Sequence, residues 1–152
     1  MITIRKANEN DIAEVAVLFN SYRVFYKKDP DPAGAKIFIS ERILKSESVI
    51  FVAQDDAGEL AGFVQLYPIF SSTRMKRLWL LNDLFVKPAF RSRGISIALI
   101  DECKKLCRDS DSSGMILETA KDNTIGNSLY RKTGFVADAD HNYYEWETTP
   151  SN

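Results

Sequence analysis

The spacing of apolar residues along the chain predicts both helices and strands. Apolar side chains recur every three or four positions in four segments, which is the period of a helix with one buried face. Shorter apolar or alternating runs, bounded by turn residues, indicate strands. The predicted helices cover residues 8–28, 32–45, 95–108 and 123–133, and the predicted strands cover residues 2–6, 49–54, 60–70, 74–86, 115–120 and 142–148.

The order of these elements, β-α-α-β-β-β-α-β-α-β, predicts an α+β fold. The run Asp55-Asp56-Ala57-Gly58 is typical of a hairpin turn, and Ser71-Ser72-Thr73 joins the next two strands. Neighbouring strands joined by short turns are antiparallel, so most of the sheet is expected to be antiparallel. A length of 152 residues is typical of one domain with its own core. We therefore expect a single domain over residues 1–148 and a frayed tail over residues 149–152.

Composition and charge exclude several classes of function. With 20 Lys and Arg against 21 Asp and Glu, the net charge is −1, which leaves no basic excess for nucleic-acid binding. No apolar run reaches the length of a membrane span, and the first residues lack the pattern of a signal peptide. The sequence thus predicts a cytoplasmic protein with neither a nucleic-acid nor a membrane partner.

The few metal-binding or nucleophilic side chains do not form a cluster in the sequence. Cys103 and Cys107 lie one helical turn apart, a spacing that suits neither a disulfide nor, without further ligands, a metal ion. We expect two reduced, buried thiols. His141 is the only histidine and lies in a polar loop, so the sequence predicts no catalytic triad and no metal site.

The most informative segment is a predicted strand that enters a helix through a short loop, residues 86–96. The first N–H groups of a helix lack intrahelical partners and lie at the positive end of its dipole, so they attract a phosphate. Arg91 and Arg93 add charged donors, and Gly94 permits a close backbone approach. Taken alone, the same residues also fit a surface turn with two solvated arginines.

A second segment, residues 123–135, has the pattern of a short helix that Gly134 ends. Tyr130 lies next to the positions that face a core. On its own, such a tyrosine is most often a packing residue.

Together the two segments resemble the GCN5-related N-acetyltransferase (GNAT) family. Arg91-x-x-Gly94-x-Ser96 is similar to the (Gln/Arg)-x-x-Gly-x-(Gly/Ala) loop with which the family holds the pyrophosphate of acetyl-CoA. Ser92 replaces a frequent glycine of that loop, and Ser96 replaces its last small residue. Residues 123–135 resemble the family segment Asn-x-x-Ala-x-x-Leu-Tyr-x-x-x-Gly-Phe, with Gly126 in place of alanine. The resemblance covers residues 2–146.

The resemblance implies the acyl-CoA N-acyltransferase (GNAT) fold, a mixed, mostly antiparallel sheet flanked by helices. It also implies acetyl-CoA as cosubstrate, with no metal. Backbone groups of a splayed strand would bind the pantetheine arm, one N–H would face the thioester oxygen, and Tyr130 would act as general acid toward the CoA sulfur. The implied cofactor-binding residues are Leu84, Phe85, Val86, Arg91, Ser92, Arg93, Gly94, Ile95, Ser96, Asn123, Asn127 and Tyr130.

The general base is left open by the sequence. Residues 80–86 resemble a Leu-Glu-Asp-Phe-Phe-Val segment of diamine acetyltransferases, with Asp83 matched and the glutamate replaced by Asn82. Asparagine cannot accept a proton at neutral pH. Asp83, Glu118 or a chain of water molecules would then serve as base, and Asp83 would otherwise only hold a strand end.

The acceptor side is expected in residues 22–45 and 67–82. Four aromatic residues there, and acidic side chains near them, favour a small cationic amine; the aromatic residues are Tyr22, Phe25, Tyr26 and Tyr67. The alternatives are a protein lysine or N-terminus as acceptor, or a CoA-binding regulatory domain without catalysis. The basic run Met75-Lys76-Arg77 near the same strand argues against a cationic acceptor; it would contact the adenosine 3′-phosphate or no ligand at all.

The aromatic residues of the last predicted strand favour a homodimer. Alternation would place Tyr144 and Trp146 on one face of the strand and Tyr143 on the other, so that one face exposes an aromatic ring. Family members that resemble this chain are often homodimers as well.

Overall fold

The computed structural model describes residues 1–149. The chain forms two compact units, residues 1–118 and the part that begins at Thr119. The elements are β1 (Thr3–Lys6), α1 (Ile12–Phe25), α2 (Pro32–Leu44), β2 (Val49–Gln54), β3 (Leu60–Ser71), β4 (Lys76–Val86), α3 (Ile95–Asp109), β5 (Met115–Ile116) and α4 (Thr124–Lys132). The single domain over residues 1–148 stays a prediction, and the expected frayed tail lies outside the described residues except for Thr149.

The first unit is built on a five-stranded sheet in the order β1-β2-β3-β4-β5. All neighbours are antiparallel except β4 and β5, which run parallel. This confirms the predicted mixed, mostly antiparallel sheet. In the pairing of β3 with β4 the register shifts after Gln65, which pairs with Asp83, while Leu66 pairs with Leu81. Asn82 is the extra residue of this bulge, and a bulge redirects the side chains beside it.

Helices α1 and α2 cover one face of the sheet. Their buried apolar residues pack against strand residues that point to the same side, including Ile50, Val52, Phe63 and Phe85. Because side chains alternate along a strand, Val64 and Leu66 point to the opposite side. There α3 packs on β3 and β4 with its own buried face, which contains both cysteines as free thiols. Each buried aliphatic or aromatic side chain contributes about 1.5–3 kcal/mol to folding.

The start of α1 is fixed by a local network of hydrogen bonds. The side chain of Asn8 accepts from the N–H of Asn10, and the carboxylate of Asp11 accepts from the N–H of Asn8 at 2.8 Å. Arg5 of β1 donates two hydrogen bonds to the same carboxylate, each 2.8 Å long. The sequence predicts this helix with Asn8 or Asn10 as its cap; the helix begins at Ile12, after a short 3₁₀ turn over Glu9–Asp11 that Asn8 caps.

Two predicted strands differ from the structure. The strand predicted over residues 115–120 ends at Ile116, and the strand predicted over residues 142–148 is absent from the described chain. Tyr144 and Trp146 of that segment are 91% and 85% exposed. An alternating pattern makes a segment compatible with a strand, but a strand also needs a neighbour for its backbone N–H and C=O groups.

None of the described helices has the length and apolar character required to span a membrane.

Candidate active site

The loop between β4 and α3 leaves the first N–H groups of the helix open. Ser92 and Gly94 have φ values of 62° and 76°, in the left-handed region. Gly94 is the N-cap of α3, and no side chain caps the helix there. The first intrahelical bond runs from the N–H of Ala98 to the carbonyl of Gly94, 3.1 Å long. The N–H groups of residues 95–97 thus precede the helical ladder, which is the arrangement that binds an anion.

Arg91 fixes this loop to the end of β4. Its Nε donates to the carbonyl oxygen of Val86 at 2.9 Å. Its guanidinium lies 5.5 Å from the ring centre of Phe85 and 5.8 Å from that of Phe25 in α1. Arg93 is exposed and lies over Phe90. Neither arginine pairs with a carboxylate of the described chain, so both keep donors for a bound anion.

One edge of β4 lacks a strand neighbour over its second half. β5 pairs with β4 only at Trp79 and Leu80. On the other side, Phe85 pairs with Phe63, and the N–H of Lys87 donates to Ala61 of β3. Backbone groups alternate in direction along a strand, so those of Leu84 and Val86 point to the open edge. The backbone of Phe85 faces β3 instead, which distinguishes it from the other two predicted pantetheine contacts.

A row of polar side chains, with Asp83 and Gln65 buried and Ser48 half-buried, lies on the face of the sheet that α1 and α2 cover. Asp83 is 1% exposed and Gln65 is 0% exposed. Gln65 Nε2 donates to Asp83 Oδ2, Asn82 Nδ2 donates to Asp83 Oδ1 at 2.8 Å, and Ser48 Oγ donates to Gln65 Oε1 at 2.8 Å. Asp83 forms no ion pair within the described chain. Burial raises the pKa of Asp83, and the hydrogen bonds from Gln65, Asn82 and Tyr22 oppose that rise.

Aromatic side chains of α1 and β3 lie beside this row. The hydroxyl of Tyr22 donates to the carbonyl of Asn82 at 3.0 Å, and its ring lies 4.8 Å from that of Tyr26. Burial, together with the negative charge of Asp83, raises the pKa of Tyr67 to about 12. The Tyr67 phenol therefore stays protonated at neutral pH. The sequence singled out these tyrosines for the acceptor side, and the structure places Tyr22 and Tyr67 beside the predicted base, with Tyr26 against Tyr22.

The second unit contains the predicted general acid. Tyr130 lies on α4, with its ring edge against Phe135 at 5.6 Å. Asn123 caps α4 by accepting from the N–H of Gly126 at 3.1 Å. A Cβ at residue 126 would lie against the Asn123 side chain, which would then have to shift. Asn127 Nδ2 donates to the Asn123 carbonyl at 2.8 Å, so both asparagines serve the local fold, and their cofactor contact stays a prediction.

Glu118, the other candidate base, is exposed and follows β5 rather than lying on it. The prediction placed it on a strand, and that placement is wrong because β5 ends two residues earlier. Of the basic run, Lys76 pairs with Asp111 at 3.0 Å and Arg77 lies over Phe70 and Trp79.

Two residues of this polar row, the buried Gln65 and the half-buried Ser48, were not identified from the sequence. The available signal was Gln65 itself, a polar residue in the middle of the apolar run 60–70. A polar side chain at a core position requires a buried partner.

Comparisons with known proteins agree with this geometry. The family model described as Acetyltransferase (GNAT) matches residues 15–135. The chain is 40% identical over 143 residues to an uncharacterized N-acetyltransferase, YhfO, of Bacillus subtilis (strain 168), covering 94% of this chain and 95% of that protein. A crystal structure of a probable acetyltransferase has a TM-score of 0.93 at 32% identity, covering 98% of this chain and 99% of that one. An aminoglycoside N-acetyltransferase, AAC(6′)-Iy in complex with CoA, shares the fold, with a TM-score of 0.80 at 20% identity, covering 96% and 95%.

Proposed function

The chain belongs to the GNAT family of acetyl-CoA-dependent N-acetyltransferases, and we propose that it acetylates a primary amine of a small cationic molecule. The observation that carries the choice of acceptor is Asp83. A buried carboxylate without a cationic partner is costly, and a bound ammonium would supply the missing charge. The ring faces of Tyr22 and Tyr26 would add cation–π attraction.

We propose that the loop over residues 91–96 holds the pyrophosphate of acetyl-CoA. Three features support the fit: the uncapped start of α3, the open space around Gly94, and two arginines that pair with no carboxylate among residues 1–149. The open edge of β4 offers the backbone groups of Leu84 and the N–H of Val86 to the pantetheine arm in the manner of an added strand. Acetyl-CoA supplies the activated acetyl group.

The proposed reaction is a direct transfer. The amine nitrogen forms a bond to the thioester carbonyl carbon, the C–S bond breaks, and an N–H proton leaves to a base. We assign the base role to Asp83, directly or through water, because burial raises its pKa toward that of a useful proton acceptor. On the family resemblance, Tyr130 donates the proton that the departing thiolate needs.

A thiol-release assay tests the proposal. Purified protein is mixed with acetyl-CoA and either a panel of small amines, including diamines and aminoglycosides, or a panel of lysine peptides and free N-termini. Release of CoA with a cationic small amine is expected, together with a loss of about 100-fold or more in kcat/KM for Asp83→Asn. Release with peptides alone would identify a protein acetyltransferase. No release with either, despite acetyl-CoA binding, would identify a non-catalytic CoA-binding domain.

We further propose that the protein is a homodimer. The segment 142–148 has the alternating pattern of a strand and exposes its aromatic rings, so a strand from a second copy would cover them. Light scattering at micromolar concentration is expected to give twice the chain mass, and replacing Tyr144 and Trp146 with serine should reduce it. A monomer mass for the unaltered protein would refute the dimer.

A cytoplasmic location, which the two free buried thiols favour, is also part of the proposal.

A further inference from the structure

We infer that Gln65, oriented by Ser48, is a positioning residue that holds the Asp83 carboxylate as the proton acceptor for the amine. The inference rests on the proposed function for the catalytic role of Asp83. It concerns two residues that neither the family motifs nor the cofactor loop include.

The first step is the register of the sheet. Gln65 and Asp83 are a directly opposed pair on β3 and β4, at the point where Asn82 forms the bulge. Opposed side chains on one face lie close enough to contact each other. Both residues are fully buried, so water competes little for the hydrogen bond between them. Among the described residues of the sheet, Gln65 is the only buried side-chain amide and Asp83 the only buried carboxylate, and the two are held against each other.

The second step is the orientation of the amide. A glutamine can present either its NH₂ group or its carbonyl oxygen to a neighbour. Ser48 donates to Oε1 at 2.8 Å, which leaves Nε2 directed at Asp83. The O–H of Ser48 and the N–H of Gln65 then point the same way, toward the carboxylate. Aligned hydrogen bonds strengthen one another, and this alignment favours the ionised form of Asp83.

The third step concerns the other groups around Asp83. The titratable and charged side chains on this side are Tyr22 from α1, Tyr67 from β3 and Arg42 from α2. The charge of Arg42 acts on Tyr67, and its guanidinium donates hydrogen bonds to Glu41 and Glu47. None of them replaces the donor that Gln65 provides. Removing that donor should leave Asp83 harder to ionise, since burial then acts with less opposition.

The variants Gln65→Met and Ser48→Ala test the inference. Methionine matches the length of glutamine without its donor. One hydrogen bond to a charged group corresponds to a shift of about 1–2 pH units, so the Asp83 pKa should rise by that order in Gln65→Met. Ser48→Ala should raise it by a few tenths of a unit, as expected for one cooperative neighbour. Ser48→Thr keeps the hydroxyl and should restore the original value.

The matched control is Ser113→Ala. It removes another half-buried serine hydroxyl, bonded at 3.3 Å to the carbonyl of Arg77, which lies six residues before Asp83 on β4. Its Asp83 titration should equal that of the unaltered protein.

Two readouts separate the inference from the proposed function. The carboxyl carbon of Asp83 is titrated by NMR in the free protein, with its signal assigned from its loss in Asp83→Asn. The acid limb of kcat/KM is measured with the best amine and should move to higher pH in the same order, with acetyl-CoA affinity unchanged. Equal Asp83 titrations in Ser48→Ala, Gln65→Met and the unaltered protein would overturn the inference. If Gln65→Met fails to fold, Ser48→Ala alone decides. A shifted titration in a protein that acetylates no amine would refute the proposed function instead, and with it the catalytic role of the pair.

Discussion

Gly94 offers a direct test of the cofactor loop, because its substitution can separate charge from shape. Its φ of 76° lies in the left-handed region, and a Cβ there would meet no atom within 4 Å. Asparagine and aspartate tolerate this backbone conformation better than other residues, and they have the same shape. Gly94→Asp and Gly94→Asn should therefore both fold, and they differ by one negative charge at the start of α3.

The charge sets the expected magnitude. A carboxylate about 5 Å from one pyrophosphate charge is repelled by about 3 kcal/mol at an effective dielectric constant of about 20. The loop is exposed, so salt and solvent reduce this value, and a net penalty of about 1.5–3 kcal/mol is reasonable. Gly94→Asp should then bind acetyl-CoA about 10- to 150-fold more weakly than Gly94→Asn.

Calorimetric titration with acetyl-CoA, at low and at high ionic strength, measures this ratio. The ratio should fall as salt increases, since exposed charges are screened. Gly94→Asn itself should bind more weakly than the unaltered protein by the cost of its side chain near the phosphates. Equal affinity of the aspartate and asparagine variants at low salt would refute the phosphate role of the loop.

Three further predictions address other parts of the molecule. Tyr130→Phe should lower kcat by about tenfold or more while leaving acetyl-CoA affinity intact, as single-turnover kinetics and calorimetry would show. Asp11→Ala should destabilise the protein by about 2–3 kcal/mol at neutral pH in denaturant unfolding. The hydrogen bond from Arg5 lowers the pKa of Asp11, so this difference should disappear as the pH falls through that lowered pKa. Burial raises the pKa of Asp83 in the folded protein. The free energy of unfolding, relative to that of Asp83→Asn, should therefore fall as the pH rises from the Asp83 pKa of the unfolded chain through that of the folded protein. An increase over this range would contradict the prediction.

Local signals in the sequence predict most of the fold. The break at residues 29–32 and the start of α3 after Gly94 depend on proline and glycine, whose backbone preferences act within a few residues. The hairpin at residues 55–58 is set in the same way. Such elements have their predicted positions because their backbone needs no partner from a distant part of the chain.

Features that depend on distant partners are harder to predict. β5 stops at Ile116 and residues 142–148 form no strand in the described chain, although both segments have suitable side chains. The bulge at Asn82 cannot be seen in the sequence either, because it is a property of how β3 and β4 align. That alignment places Gln65 opposite Asp83. The sequence motif predicted Asp83, whereas its partner Gln65 is found only from the register of the two strands.

The polar side chains around Asp83 therefore lower the stability of the folded protein rather than raise it. Two apolar residues of similar volume in place of Gln65 and Asp83 would be at least as stable, because a buried charge loses more hydration than its hydrogen bonds return. Neighbouring side chains nevertheless donate to both oxygens of the carboxylate, and no described side chain forms an ion pair with it. A buried carboxylate that lacks an ion-pair partner among the described residues supports the proposal that Asp83 binds the amine substrate and accepts its proton. The energetics of this side chain thus support the role proposed for Asp83, the residue that the sequence resemblance had identified as a candidate base.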